Sequence, residues 1–99
     1  MKIKFLVIRF SSIGDIVLTT PVVRYLKQQV DNVEIHFATK QKHAPILNSN
    51  PYIDKIHVLG ENINDLIVEL QEEKLDYIID LHQNFRSNRI KRRLKLPAF

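Results

Sequence analysis

Residues 3–10, Ile-Lys-Phe-Leu-Val-Ile-Arg-Phe, form a nearly continuous apolar and β-prone run with no useful alternation. A strand that reads this way is buried on both faces, as in the middle of a parallel sheet. The run passes straight into Ser11-Ser12-Ile13-Gly14-Asp15, where an amphipathic stretch begins. In open α/β sheets, ligands bind where the carboxyl end of a strand meets the start of the next helix. That junction is where a site is to be sought.

The rest of the chain repeats the same alternation of strand and helix. A helix is expected from residue 14 or 15 to about 29, with Pro21 inside it. An interior proline costs ~3 kcal/mol, and Thr20-Pro21 also reads as a cap followed by a first-turn proline. The expectation is therefore a kink or a restarted helix. Residues 33–38 alternate and make a second strand, 40–43 a polar connection and 44–47 a short helix; 55–59 make a third strand. Asn62 and Asp65 come close to a capping box. Ile63, Leu66, Ile67 and Leu70 then fall at i, i+3, i+4 and i+7, one face of a helix. Residues 77–81 are a fourth strand, and Ser87 can cap a last helix to about residue 95, with Ile90 and Leu94 inward and Pro97 as its stop.

Strands alternating with helices predict an open parallel sheet covered on both faces, a Rossmann-like α/β arrangement. Right-handed crossovers favour the strand order 3-2-1-4. Strands 1 and 4 are then neighbours where the winding reverses. Their crevice is flanked by residues 11–15 and 82–86.

Composition narrows the chemistry. The 99 residues contain no cysteine, which excludes disulfides, thiolate metal sites and a thiol nucleophile. Arg9 interrupts the apolar start before a signal-peptide core is complete, and no run reaches the roughly 20 apolar residues of a membrane span. The chain reads as cytoplasmic. Of its 15 Lys and Arg, six (Arg86, Arg89, Lys91, Arg92, Arg93 and Lys95) lie in residues 85–99, which hold no acid. The remainder has nine bases against eleven acids, so the net charge of +4 belongs to the tail. A nucleic-acid-binding face spread over the domain is not indicated. There are two glycines, and only Gly14 is in the first loop. A dinucleotide fingerprint or P-loop needs more, so no self-contained nucleotide site is expected.

Asp15 can be a first-turn carboxylate satisfying helix amides, or a general base over the crevice. The helix end favours its anion by ~0.3–1 kcal/mol, less than one pKa unit, and so works against basicity. An aspartate base therefore suits an acceptor whose proton grows acidic as its bond to the electrophile forms, as in sugar hydroxyl attack. Ser11 and Ser12 are good N-caps, or with the loop amides a cradle for an anion or a sugar hydroxyl. His36 and His57 read as strand-face residues without a second ligand at metal spacing, and His43 as a loop residue. His82 sits at the crevice rim. No metal and no cofactor is expected.

Residues 9–24, Arg-Phe-Ser-Ser-Ile-Gly-Asp-Ile-Val-Leu-Thr-Thr-Pro-Val-Val-Arg, resemble the opening signature of the ADP-heptose:lipopolysaccharide heptosyltransferases, glycosyltransferase family 9. Residues 80–87, Asp-Leu-His-Gln-Asn-Phe-Arg-Ser, resemble that family's fourth-strand motif more loosely, with Asn84 where glycine is frequent. The resemblance implies a glycosyltransferase B-type fold, with this chain as the first part of the acceptor-side domain. It implies metal-independent, inverting transfer of heptose from ADP-heptose to the inner core of a lipid A acceptor. Asp15 matches the family's base; Ser11, Ser12 and Gly14 match the loop near the donor sugar and its phosphates. His82, Gln83, Asn84 and Arg86 line the other side of the crevice as candidate substrate contacts. Arg86 is the best placed to meet acceptor phosphates at the inner face of the cytoplasmic membrane.

Members of that family are far longer, and a C-terminal nucleotide-sugar-binding domain supplies most donor contacts. The expectation is thus an N-terminal fragment, inactive alone, whose parent is the enzyme. The alternative is a non-catalytic flavodoxin-like binding or interaction module. A sheet ending at strand 4 is also expected to leave that strand's outer edge unpaired and to favour self-association.

Overall fold

The computed structural model describes residues 2–99. They form β1 (Ile3–Ile8), α1 (Ile13–Leu18), α2 (Thr20–Gln29), β2 (Val33–Lys40), a 3-10 turn (Gln41–His43), α3 (Ala44–Asn48), β3 (Lys55–Leu59), α4 (Ile63–Glu72), β4 (Tyr77–Asp80) and α5 (Phe85–Leu94). The four strands make one parallel sheet in the order β3-β2-β1-β4, as the crossover rule requires.

The missing alternation in β1 has its cause in the layers around it. Leu6 and Ile8, with Phe10 beyond the strand, pack with Leu66, Ile67 and Leu70 of α4 and Ile90 of α5. Val7 points the other way, to Ile16 of α1, Val23 of α2 and Leu47 of α3. Both faces of β1 are therefore apolar. Each of these side chains contributes on the order of 1.5–3 kcal/mol by leaving water.

Thr19 separates α1 from α2. Its hydroxyl donates to the Ile16 carbonyl (2.6 Å), which closes the first helix, and Pro21 then sits in the first turn of the second. The restart was expected; the capping position is Thr19 rather than Thr20. The second strand runs two residues further than the alternation predicts, because Thr39 and Lys40 pair with Val58 and Leu59. Asn62 caps α4 through Asn64 N–H (2.8 Å), while Asp65 contributes its backbone amide to the Asn62 carbonyl (3.2 Å).

Two expectations need correction. The last helix is capped by Asn84, not Ser87: the Asn84 side-chain oxygen accepts from the amides of Arg86 and Ser87, and Ser87 Oγ accepts from the Asn84 amide. Ser87 is the third helical residue of a reciprocal cap and is buried. The outer edge of β4 is also not bare. Lys95 turns left-handed after α5, and residues 97–99 return along β4. Ile78 N–H donates to the Pro97 carbonyl (2.9 Å), Asp80 N–H to the Phe99 carbonyl (2.8 Å), and Phe99 N–H to the Ile78 carbonyl (2.9 Å). The chain covers its own edge, which removes the basis for self-association there.

Deleting residues 97–99 should expose those β4 groups. The expected result is a melting temperature that depends on protein concentration in the shortened chain and not in the intact one. Three lost hydrogen bonds, at about 0.5–1.5 kcal/mol each, set the scale of the destabilisation.

Candidate functional site at the β1–β4 crevice

The carboxyl ends of β1 and β4 are joined by side chains as well as by the sheet. Arg9, one residue past β1, sends Nη1 to the Leu81 carbonyl (2.6 Å) and Nη2 to Asp15 Oδ2 (2.8 Å). One guanidinium thus ties the loop after β4 to the first turn of α1. Ser12 donates to the same Oδ2 twice, through its hydroxyl (2.8 Å) and its amide (3.2 Å). The three bonds to Asp15 all fall on one carboxylate oxygen. The Asp15 side chain keeps 47% of its surface exposed, at the mouth of a shallow cavity of about 220 Å³ with Arg9, Leu18, Thr19, Val22 and Leu81.

The Ser12 hydroxyl and amide, with the Arg9 guanidinium, hold the Asp15 carboxyl below the ordinary aspartate value. Asp15 is therefore anionic at neutral pH and an intrinsically weak base. Gly14 lies in the first turn of α1 without a left-handed backbone. A Cβ there would meet nothing within 4 Å, so the glycine leaves the lip of the crevice uncovered. Ser11 is half-buried and Ser12 exposed beside it.

The opposite wall is built by Asp80 at the end of β4. This buried carboxylate accepts from the amides of His82 (3.0 Å) and Gln83 (2.8 Å) through Oδ1, and Lys91 Nζ lies 2.9 Å from Oδ2. Burial works against its charge, yet the Gln83 amide, Lys91, Ser87 and the His82 amide outweigh it and lower its pKa. Gln83 takes a left-handed backbone (φ 51°) to make the turn. His82 Nδ1 accepts from the Phe10 amide (3.4 Å), its ring set edge-on to Phe10. Burial, with Arg9 next, lowers its pKa, so His82 is neutral at pH 7. The Asn84 oxygen is consumed by its cap; Arg86 is exposed.

Arg86 faces a different and larger hollow. Lys40, Lys42, Leu59, Phe85, Arg86 and Arg89 contribute to a cavity of about 520 Å³ at the carboxyl ends of β2 and β3. Four bases and one acid, Glu61, line it. Asp15 and Arg86 therefore belong to neighbouring concavities, not to one. Arg9 was absent from the expected site residues. Its signal was present: a cation interrupting the apolar run just before the loop.

The histidines differ more from expectation. His43 is buried in the 3-10 turn, not in an open loop. His36 and His57, which have no metal-spaced partner in sequence, meet across β2 and β3, with Nδ1 of the first 2.8 Å from Nε2 of the second. Burial is the largest influence on His57 and lowers its pKa. Glu73 completes a cluster of three groups able to hold a metal ion.

The fold recurs in solved structures of glycosyltransferase family 9. The family 9 enzyme of Veillonella parvula DSM 2008 matches with a TM-score of 0.89 at 23% identity, over 99% of this chain and 32% of that one. The Escherichia coli ADP-heptose lps heptosyltransferase II matches at 0.84 and 24%, over 96% and 29%. Escherichia coli heptosyltransferase WaaC with ADP matches at 0.80 and 16%, over 97% and 34%. In sequence, the chain is 31% identical over 102 residues to lipopolysaccharide heptosyltransferase 1 of Campylobacter coli, across 97% of this chain and 30% of the relative. It is 32% identical over 78 residues to lipopolysaccharide heptosyltransferase 3 of Escherichia coli K12, across 69% and 23%. No protein-family model matches. The molecule thus carries a glycosyltransferase family 9 fold unit. The chain belongs, as a part, to the heptosyltransferase family, and it spans less than a third of the curated relatives it matches.

Replacing Arg9 by Met should raise the Asp15 pKa toward 3.8, read from carboxyl chemical shifts during an NMR titration. Asp80 gives a stability test. Its pKa is lower folded than unfolded, so its contribution is present above about pH 4 and lost as pH falls through the folded value. Asp80→Asn should therefore destabilise at pH 7 and cost progressively less as the pH is taken below 4.

Proposed function

We propose that this chain is the N-terminal, acceptor-side part of an enzyme transferring heptose from ADP-heptose to the lipopolysaccharide inner core, with Asp15 as general base. The observation that carries the reading is the way the carboxylate is held. Arg9 and Ser12 fix Oδ2, while the side chain stays half-exposed over the crevice. A rigidly oriented carboxylate at a strand–helix junction can receive a proton at Oδ1 without moving.

The chemistry that suits so weak a base is a late proton transfer. An acceptor hydroxyl oxygen attacks the anomeric carbon from the face opposite the ADP. The bond to the diphosphate breaks, ADP departs with the electron pair, and the configuration inverts. The hydroxyl proton becomes acidic only as the new C–O bond forms, and Asp15 Oδ1 then takes it. Ser11, Ser12, Gly14, His82 and Gln83 border the space the sugars would occupy, with Asn84 retained as the cap that orients Arg86. The basic hollow around Arg86, Lys40, Lys42 and Arg89 fits acceptor phosphates, which would bring the parent to the inner surface of the cytoplasmic membrane. Donor binding is left to a C-terminal domain beyond these residues.

Three measurements test the reading. The 99-residue chain, given ADP-heptose and a heptose-free acceptor, should release no ADP; turnover would refute its dependence on a second domain. In the longer protein, Asp15→Asn should lower kcat by ~10²–10⁴ with little change in KM. An unchanged kcat would remove Asp15 from the reaction. Arg86→Ala in that protein should flatten the salt dependence of binding to a phosphorylated acceptor.

A further inference from the structure

On the far side of the molecule from the β1–β4 loops, β2, β3 and the end of α4 bring together five side chains that heptose transfer does not use. His36 and His57 are each 1% exposed, and Glu73 lies at the carboxyl end of α4. Their facing atoms form a small triangle. His36 Nδ1 is 2.8 Å from His57 Nε2, and Glu73 Oε2 is 3.6 Å from the first and 3.4 Å from the second.

The outer nitrogens explain what the inner ones must be. His36 Nε2 lies 2.5 Å from Glu34 Oε2, and His57 Nδ1 lies 2.6 Å from Glu69 Oε2. A carboxylate only accepts, so each ring donates its outer N–H to its carboxylate. In the neutral rings, the inner nitrogens then both present lone pairs, with a carboxylate oxygen beside them. The two ring nitrogens face each other across 2.8 Å in nearly coplanar rings, with Glu73 Oε2 beside them, and Lys55 Nζ serves only Glu73. Such an arrangement is satisfied by a cation held between them. Glu73 Oε2 is buried and lacks a hydrogen bond of proper geometry, although Lys55 Nζ stands 2.5 Å away. The Lys55 side chain is 55% exposed, so it can turn into solvent.

We propose that His36 Nδ1, His57 Nε2 and Glu73 Oε2 are the protein ligands of a divalent transition-metal ion, zinc by donor type, that clamps β2, β3 and α4 together. Ligands on a tetrahedral zinc at about 2.0–2.1 Å stand roughly 3.4 Å apart. Two edges of the triangle are already near that length; the histidine pair must open by roughly half an ångström, and the two rings, now nearly coplanar and facing each other, must tilt toward Glu73. Imidazole and carboxylate donors suit zinc. Glu34 and Glu69 are the outer carboxylates that set ring tautomer and orientation in carboxylate–histidine–zinc arrangements. The carboxyl end of α4 adds its partial negative charge. The role is structural, because the site lies away from the crevice.

The test uses the 99-residue chain stripped with chelator and titrated with zinc. One ion per chain should bind by calorimetry. At about 100 times the dissociation constant, zinc should raise the melting temperature by on the order of 10 °C. Cobalt in place of zinc should give the visible bands of a four-coordinate ion with nitrogen and oxygen ligands. Histidine replacements risk unfolding the core, so the deciding variants are at the rim. Glu73→Gln should abolish the cobalt bands while the chain still melts cooperatively, and Glu69→Gln should weaken zinc by ~10–100-fold. Lys55→Ala should tighten it. A stripped chain whose melting is unmoved by zinc overturns the proposal and leaves a proton as the shared cation. Zinc binding that survives Glu73→Gln undiminished overturns it equally.

Discussion

Much of the crevice depends on one guanidinium. Arg9 leaves the end of the central strand and joins the Leu81 carbonyl on one side to the Asp15 carboxylate on the other. Without it, Ser12 would still hold Asp15, but among the described residues no side chain would join that carboxylate to the loop after β4. The half-buried setting matters, since a charge-assisted hydrogen bond counts for more where water competes less. The same contact that orients Asp15 also weakens it as a base. Orientation and basicity are therefore opposed at this site, and the chemistry it suits is one that asks for the proton late.

The two halves of the sheet divide the labour. The β1–β4 half carries the carboxylate, and the β2–β3 half carries the basic hollow at its carboxyl ends and the histidine pair deeper in the sheet. The α4–α5 layer seals the first half with aliphatic side chains from Leu66 to Ile90. Toward β3 the same layer meets His36 and His57, so its packing there is polar and directional. A buried polar cluster costs stability unless each atom is satisfied. The outer carboxylates serve two ring nitrogens; the inner pair is where the balance turns on a cation.

Most of the architecture was legible because it follows from patterns with a physical period. The continuous apolar run at residues 3–10 marks a strand covered twice, and four such strands separated by helices leave few topologies. Asp15 was legible as well, as a lone acid at a strand–helix junction. Element ends were less so. Thr19 rather than Thr20 stands at the start of α2, its hydroxyl turned back to close α1, and Asn84 rather than Ser87 caps α5 because its side-chain oxygen reaches two helix amides. The return of residues 97–99 along β4 left no pattern, since three residues are too few to show one.

By itself, the sequence determined the strand order, the place of the crevice and the family likeness, because hydrophobic period, crossover handedness and a local motif are all properties of short stretches. Only the tertiary structure decided which side chains meet. Arg9 reaches Leu81 across 72 positions, and His36 reaches His57 across 21 through the register of two parallel strands. Such meetings depend on the three-dimensional path of the whole chain, and no spacing along it encodes them.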